Sequence, residues 1–248
     1  MGAEITEGDR PGSWVLWLDG MAQSAVDPDD PTWLAFDYVR RVADVLDVVA
    51  APAEPLRVLH VGGAAMTLPR YVAHTRPRST QIVLEPDVAL VEEVRRALPL
   101  PPRSGIKVRP VDGATGLPAV RDGSMDVVVL DAFAGGSVPH ELLGTSFLAE
   151  VRRVLGEGGV LVANVADRSP FPLVRRALAG IRETFGDVVV GAEPATLKGR
   201  REGNLVLVAG AAVPADALRR RAASGAAPYR VFVGTPVLDS FGGGRPLP

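Results

Sequence analysis

Glycine or carboxylate residues close four successive apolar runs, and together they outline a ligand site. RVLHV (57–61) runs into Gly62-Gly63, QIVLE (81–85) ends on Glu85, IKVRPV (106–111) runs into Asp112, and DVVVL (126–130) runs into Asp131. Such Val- and Leu-rich runs suit strands buried on both faces of a parallel sheet. That kind of sheet binds ligands at the carboxyl ends of its strands, beside the point where strand order reverses. One Gly-rich turn and three carboxylates along that edge suit a nucleoside, with a base near the reacting atom. Asp131 is the sharpest candidate. It leaves an apolar strand and enters the loop AFAGGSVP. A carboxylate there can orient an amine and take its proton, a role typically worth ~10²–10⁴ in rate.

Taken singly, the other positions carry less. Gly62-Gly63 lets backbone approach a ligand closely. Ala64, Ala65 and Met66 follow in place of G-x-G-x-x-G spacing, which disfavours a pyrophosphate cradle. A strand-to-helix turn that needs glycine explains the pair equally well. Glu85 can accept ribose hydroxyls, although nicotinamide enzymes place an acid similarly. Asp112 can accept from an adenine amino group, with Gly113-Ala114 leaving room for the ring; an Asx turn is the plainer alternative. His60 reads as a core residue, His74 as a helix-end residue, and His140 follows the Asp131 loop, where it could face substrate. No spacing among them resembles a metal site, so no metal is expected.

The surrounding elements follow from periodicity. WVLWL (14–18) and MAQSAV (21–26) flank Asp19-Gly20, a type I′ hairpin signal. Apolar residues Leu34, Tyr38, Val42, Val45 and Val48-Val49 recur at helical spacing from Trp33 to Val49, with Thr32 as N-cap. Helices are expected near 67–75, 87–98 with Asp87 as N-cap, 145–155, 171–184 and 214–223. A Gly158-Gly159 turn precedes strand VLVANV (160–165), and strands near 187–192 and 204–209 form an antiparallel edge pair. The expected division is an N-terminal hairpin and helix (1–50), a Rossmann-like nucleoside-binding catalytic domain (51–210), and a C-terminal helix and tail packed on that domain (211–248). The fold class is α/β, a doubly wound, mostly parallel sheet of seven strands.

Composition narrows the function classes. The 248 residues are 47% hydrophobic, enough for one full core. No apolar run reaches the ~18 residues of a membrane span, so no membrane partner is expected. A net charge of −2 gives no electrostatic reason to expect nucleic acid. The Arg pairs at 95–96, 152–153 and 175–176 read as solvated helix faces. Zero cysteines remove disulfides and thiolate metal sites. The start MGAEITEGDR is acidic and lacks an apolar h-region, so a cytoplasmic location is expected.

These residues together resemble the spermidine synthase family, the polyamine aminopropyltransferases built on a class I S-adenosylmethionine-methyltransferase-like fold. The similarity covers roughly residues 14 to 209. WVLWLDGMAQSAV resembles the family's N-terminal hairpin, which implies that Gln23 touches the nucleoside. The nucleoside carboxylates map onto Glu85 in VLEPD and Asp112 in VDGA, and the catalytic aspartate onto Asp131 in VVVLDAF. HELLGTSFLAEVRRVLGEGGVLVAN follows the pattern of gating loop, helix and Gly-Gly turn. The resemblance implies S-adenosylmethionine or its decarboxylated form as donor, a small-molecule acceptor such as an amine, and a homodimer.

The departures fall on the amine side. The aspartate of the family's GGGDG, which holds the donor amine, is replaced by Ala65. The second aspartate of D-S-S-D-P, which holds the polyamine, is replaced by Ala134. An aromatic-polar pair falls at Phe36-Asp37, without the tyrosine hydroxyl. Charge-assisted hydrogen bonds are worth ~1.5–3 kcal/mol each, so losing two costs roughly 10²–10⁴ in recognition. Asp37, Glu141 and Asp167 are acids that could compensate, with Asp37, Ala134 and His140 the substrate-side candidates. Three readings stay open. The leading one is transfer of a methyl or other alkyl group from an adenosyl sulfonium, favoured because Ala65 removes a repulsion against the methionine carboxylate. The others are an aminopropyltransferase with altered amine specificity and a non-catalytic binding homologue. A nicotinamide oxidoreductase is weaker, since no hydride-transfer pair stands out.

Overall fold

Short Val-rich runs alternate with amphipathic segments through the middle of the chain, and in the computed structural model they assemble into one large sheet covered on both faces. The structure describes residues 2–225 and 227–248. Strands β1 (Ala3–Glu7), β2 (Trp14–Leu18) and β3 (Met21–Val26) form a separate antiparallel sheet. Asp19 and Gly20 join β2 to β3 with φ of 50° and 78°, the two positive values that a type I′ turn requires. The added strand is β1, which pairs with β2.

Helix α1 (Asp37–Val48) follows and starts later than its apolar spacing suggests. Thr32 is not its N-cap: the Thr32 hydroxyl and backbone N–H both donate to Asp30 Oδ1. The helix begins at Asp37, after Phe36 in extended backbone. Strand β4 (Arg57–Val61), α2 (Thr67–Thr75), β5 (Thr80–Leu84), α3 (Val88–Ala97) and β6 (Ile106–Arg109) come next. Asp87 caps α3, accepting from Leu90 N–H at 2.9 Å. The four-residue α4 (Gly113–Gly116) leads to β7 (Met125–Leu130), α5 (Thr145–Val154) and the long β8 (Leu155–Asp167). Pairing of β7 with β8 jumps from Leu155 to Val160, so Gly158-Gly159 lies in the excursion between them. The chain closes with α6 (Pro172–Phe185), β9 (Val188–Ala192), α7 (Pro194–Leu197), β10 (Gly203–Gly210), α8 (Ala215–Ser224), β11 (Arg230–Phe232) and α9 (Thr235–Phe241).

The large sheet has the order β11-β9-β10-β8-β7-β4-β5-β6. Its five strands from β8 to β6 are parallel, while β10 runs antiparallel to β8 and β9. Eight strands replace the expected seven because β11, three residues long, adds at the edge; so short a strand carries no readable pattern. Order reverses between β4 and β7, which opens the ligand crevice of doubly wound sheets beyond their carboxyl ends. Leu59, Leu130, Phe147 and Ile181 belong to the core on one face, and Val45, Val58, Val72 and Val208 to that on the other. A third cluster joins the N-terminal sheet to α3 and the loop after β4, through Leu16, Val26, Ala65, Met66 and Val94.

Arg70 and Arg76, both buried, brace this frame through backbone carbonyls. Arg76, 2% exposed, donates to the carbonyls of Asp47, Ala50, Ala51 and Glu54, and so ties off the end of α1. Arg70 does the same for α3 through the carbonyls of Leu98 and Pro99. Such bonds satisfy carbonyls that a helix C-terminus leaves unpaired.

Candidate active site

Gly62 and Asp131 meet at the switch point because β4 and β7 are adjacent parallel strands. Asp131 N–H donates to the Val61 carbonyl at 3.0 Å. Gly62 has φ of 93°, and a Cβ there would lie 2.4 Å from the Asp131 carbonyl oxygen. Only glycine lets these two strand ends cross so closely. The glycine therefore serves the approach of the two strands and sets the loop after β4 against Asp131.

Glu85 stands at the end of β5, nearly buried. Its Oε2 accepts from Gly63 N–H at 3.0 Å and Ala64 N–H at 3.3 Å, and its Oε1 from Asp87 N–H at 3.2 Å. A carboxylate offers about four lone-pair directions, so one remains for a ribose hydroxyl. Asp112 is exposed and N-caps α4: Oδ1 accepts from Thr115 N–H at 2.8 Å and Oδ2 from the Thr115 hydroxyl at 2.9 Å. The Thr115 backbone bond is the main reason its carboxyl sits below the usual range. Gly113 is packed against Val61, Leu142 and Phe147, and Ala114 is exposed beside it. Gly62, Gly63, Glu85, Asp112, Gly113 and Ala114 thus follow the carboxyl ends of the neighbouring strands β4, β5 and β6.

Asp131 is half-buried and its carboxyl is pushed up to about 6 by desolvation. Two donors oppose that rise, first Asn164 and then Tyr38. Asn164 Nδ2 donates to Asp131 Oδ1 at 2.9 Å from the neighbouring strand β8. Tyr38, in the first turn of α1, turns its phenol toward the same carboxylate. Burial, followed by the Asp131 charge, holds the phenol far above the ordinary tyrosine range, so it stays a donor.

Beside this pair lies a cavity of about 440 Å³. Phe36, Tyr38 and Phe133 give it aromatic walls; Asp37, Glu193 and Glu202 give it carboxylates. Arg201 also lines it and pairs with Glu193 at 2.5 Å, while Asp37 pairs with Arg40 at 3.1 Å. Gln23, on β3, lines this cavity too. Ala134 and His140 are exposed and are not among its lining residues. Glu141 is exposed in a 3₁₀ turn. Asp167 is spent on backbone, accepting from Arg168 and Val174 N–H at 2.8 Å each.

Two readings of the sequence need correction. Tyr38, whose place in the apolar stripe made it look like core, turns a hydroxyl toward Asp131. Ala65 is 1% exposed, packed with Leu16, Val26 and Met66. It does not face the cleft, so it removes no repulsion from a donor carboxylate. Spacing also missed Glu193, Arg201 and Glu202, which reach the cavity from the β9–β10 connection, and Asn204 near the start of β10. Asn164 carried a visible signal: it is the only polar residue in VLVANV. His60 does prove to be core, 1% exposed, bonded to Gln81 at 2.9 Å and pushed down to about 4 by desolvation. Among the described residues no group of three potential metal ligands occurs, and no helix is long and apolar enough to cross a membrane.

No family model matches the chain. A polyamine aminopropyltransferase of Vibrio vulnificus is 28% identical over 163 residues, covering 65% of this chain and 52% of its own length. The corresponding protein of Chromobacterium violaceum is 25% identical over 143 residues, 57% of this chain and 53% of its own. The matched segment thus spans about half the length of these curated relatives. A probable spermidine synthase from Corynebacterium glutamicum superposes with a TM-score of 0.89 at 29% identity, over 98% of this chain and 91% of that one. Human methyltransferase-like protein 13, solved with SAH, shares the fold at a TM-score of 0.59 and 22% identity, over 83% of this chain and 99% of that one.

Proposed function

The chain is spermidine synthase-like in sequence and fold, and on that premise we propose that it transfers an alkyl group from an adenosyl sulfonium to an amine held beside Asp131. The observation that carries this reading is the desolvated Asp131 carboxylate, bonded to Asn164 and faced by Tyr38, next to a cavity with three carboxylates and three aromatic rings. A bound donor supplies a carbon already activated by positive sulfur. The chain's own residues do the rest. Asp37, Glu193 and Glu202 draw a cationic amine into the cavity, and its rings exclude water. Asp131, titrating near 6, is ionised at neutral pH and takes the N–H proton. The freed lone pair bonds to carbon as the carbon–sulfur bond breaks, its electrons leaving with sulfur as a neutral thioether. Alignment supplies most of the acceleration, since held reactants gain effective molarities of ~10⁵ or more.

The donor is S-adenosylmethionine, giving methyl transfer, or its decarboxylated form, giving aminopropyl transfer. Burial of Ala65 takes away the argument for the first, and the names of the two curated relatives favour the second. Calorimetry on one preparation with both donors and methylthioadenosine separates them. Sub-millimolar binding of methylthioadenosine and of one donor is expected. No nucleoside binding at millimolar ligand overturns the reading.

A further inference from the structure

Asn164 is fully buried in β8, between Ala163 and Val165. Side chains alternate along a strand, so the residue beside it on the same face is Val162, a member of the apolar core there. An amide is a costly alternative. Its Oδ1 is buried with no hydrogen-bond partner among the described residues, and such an orphaned acceptor carries a desolvation penalty that native structures rarely tolerate without a reason. The one hydrogen bond the side chain makes is Nδ2 to Asp131 Oδ1, at 2.9 Å. Strand register explains the contact, since Leu130 faces Ala163 and the next residues in each strand are Asp131 and Asn164. No other partner fixes the amide. Rotating it by half a turn would set Oδ1 against the carboxylate, so the negative charge of Asp131 decides which end faces it.

We propose that Asn164 is the positioning residue of the site, holding the Asp131 carboxylate in one orientation and keeping it ionised as a base in a desolvated pocket. This rests on reading Asp131 as the proton acceptor. Of the two donors opposing desolvation at Asp131, Asn164 has the larger effect. Tyr38, the titratable group facing Asp131 from α1, is uncharged and cannot take over the work alone. Without Asn164 desolvation would be opposed by Tyr38 alone, and a larger fraction of the carboxyl would be protonated at neutral pH.

The test is a carbon-13 NMR titration of the Asp131 carboxyl in the full chain, which needs neither donor nor acceptor. Asn164→Leu removes the donor at similar volume and is expected to raise the midpoint from about 6 by roughly one pH unit or more, as loss of a hydrogen bond to the charged form does. Thermal melting at pH 5, where Asp131 is mostly protonated in both proteins, is expected to change little, because the orphaned oxygen leaves with the donor. Asn164→Asp, closest in shape, serves if the leucine variant folds poorly: two adjacent carboxyls share a proton, and the midpoint again rises. An unmoved midpoint in whichever variant folds overturns the proposal. A raised midpoint combined with unchanged turnover in Asp131→Asn would leave the positioning role standing and sink the base reading instead.

Discussion

Replacing Asp131 with asparagine is expected to stabilise the protein at neutral and alkaline pH. The native carboxyl titrates at about 6, against an ordinary value of 3.8. Between those values the folded state binds a proton that the unfolded chain has released. The group's contribution to stability is therefore complete below about 3.8 and is lost as pH rises through about 6. At pH 8 the native state holds a desolvated charge that the unfolded chain solvates freely. At ~1.4 kcal/mol per pH unit the gap corresponds to about 3 kcal/mol. Asparagine avoids that cost and still accepts from Tyr38. Its own amide must share space with the Asn164 amide, so about 1–3 kcal/mol is the net gain expected. For a chain of this size each kcal/mol moves the melting temperature by roughly 2–4 °C.

The assay is scanning calorimetry of both proteins from pH 4.5 to pH 8, with turnover followed in parallel. The two melting temperatures should converge toward the acid end and separate through pH 6, the variant melting roughly 2–12 °C higher at pH 8. Turnover should fall ~10²-fold or more, the usual scale for loss of a general base. A difference independent of pH, or a variant less stable at pH 8, would show that Asp131 bears no desolvation cost.

Three further substitutions test separate parts of the account. Tyr38→Phe removes a donor to the carboxylate, so turnover at pH 7 should fall about 10–100-fold with little change in KM, and the Asp131 midpoint should rise; an unmoved NMR midpoint would refute the contact. Ala65→Asp restores the family's acid in sequence only. Buried among Leu16, Val26 and Met66, it should lower the melting temperature by several degrees without raising turnover on the decarboxylated donor, and a stable variant with gained turnover would show that the position faces the cleft after all. Arg76→Met leaves four carbonyls without their guanidinium; a loss of about 3 kcal/mol, or roughly 6–12 °C in melting temperature, is expected, and a shift under 2 °C would mean that water satisfies those carbonyls as well.

The large sheet was legible because a strand buried on both faces has little choice but Val, Leu and Ile. RVLHV, QIVLE and DVVVL could hardly be anything else, and the residues after them fell at the sheet's edge by geometry alone. Asp19-Gly20 and Asp87 were legible because turn and cap chemistry is local. The cavity beside Tyr38 was not. Glu193, Arg201 and Glu202 sit in a connection with no periodicity, and only pairing of β9 with β10 brings them opposite Phe36. Tyr38 misled for a different reason: an amphipathic side chain in a helical stripe counts as apolar, although its hydroxyl end can face a site while its ring packs. Matching Ala65 to the family's acid was sound in sequence, but the side chain's direction depends on the N-terminal sheet lying over that loop.

What distinguishes the switch point from the rest of the sheet is how many unfavourable placements meet there. A carboxylate is desolvated, a phenol is buried against it, and an amide oxygen has no partner. Elsewhere the buried strand positions are mostly aliphatic, and His60 and Gln81 satisfy each other across β4 and β5. Arg41, Thr196 and Tyr229 each bury one polar atom without a partner among the described residues, but with no desolvated carboxylate beside it. A fold selected only for stability would replace Asp131, Tyr38 and Asn164 together by apolar residues, since a half-dismantled polar cluster is worse than none. Each of the three alone is explicable as packing. Their coincidence at the carboxyl ends of β7 and β8, beside a cavity lined with acids, is not, because desolvation that destabilises the charge also raises the affinity of Asp131 for a proton. Under the proposed function, the same physical term that weakens the fold at pH 8 brings the proposed base close to neutral pH, so stability and turnover should trade against each other in any variant that changes the environment of Asp131.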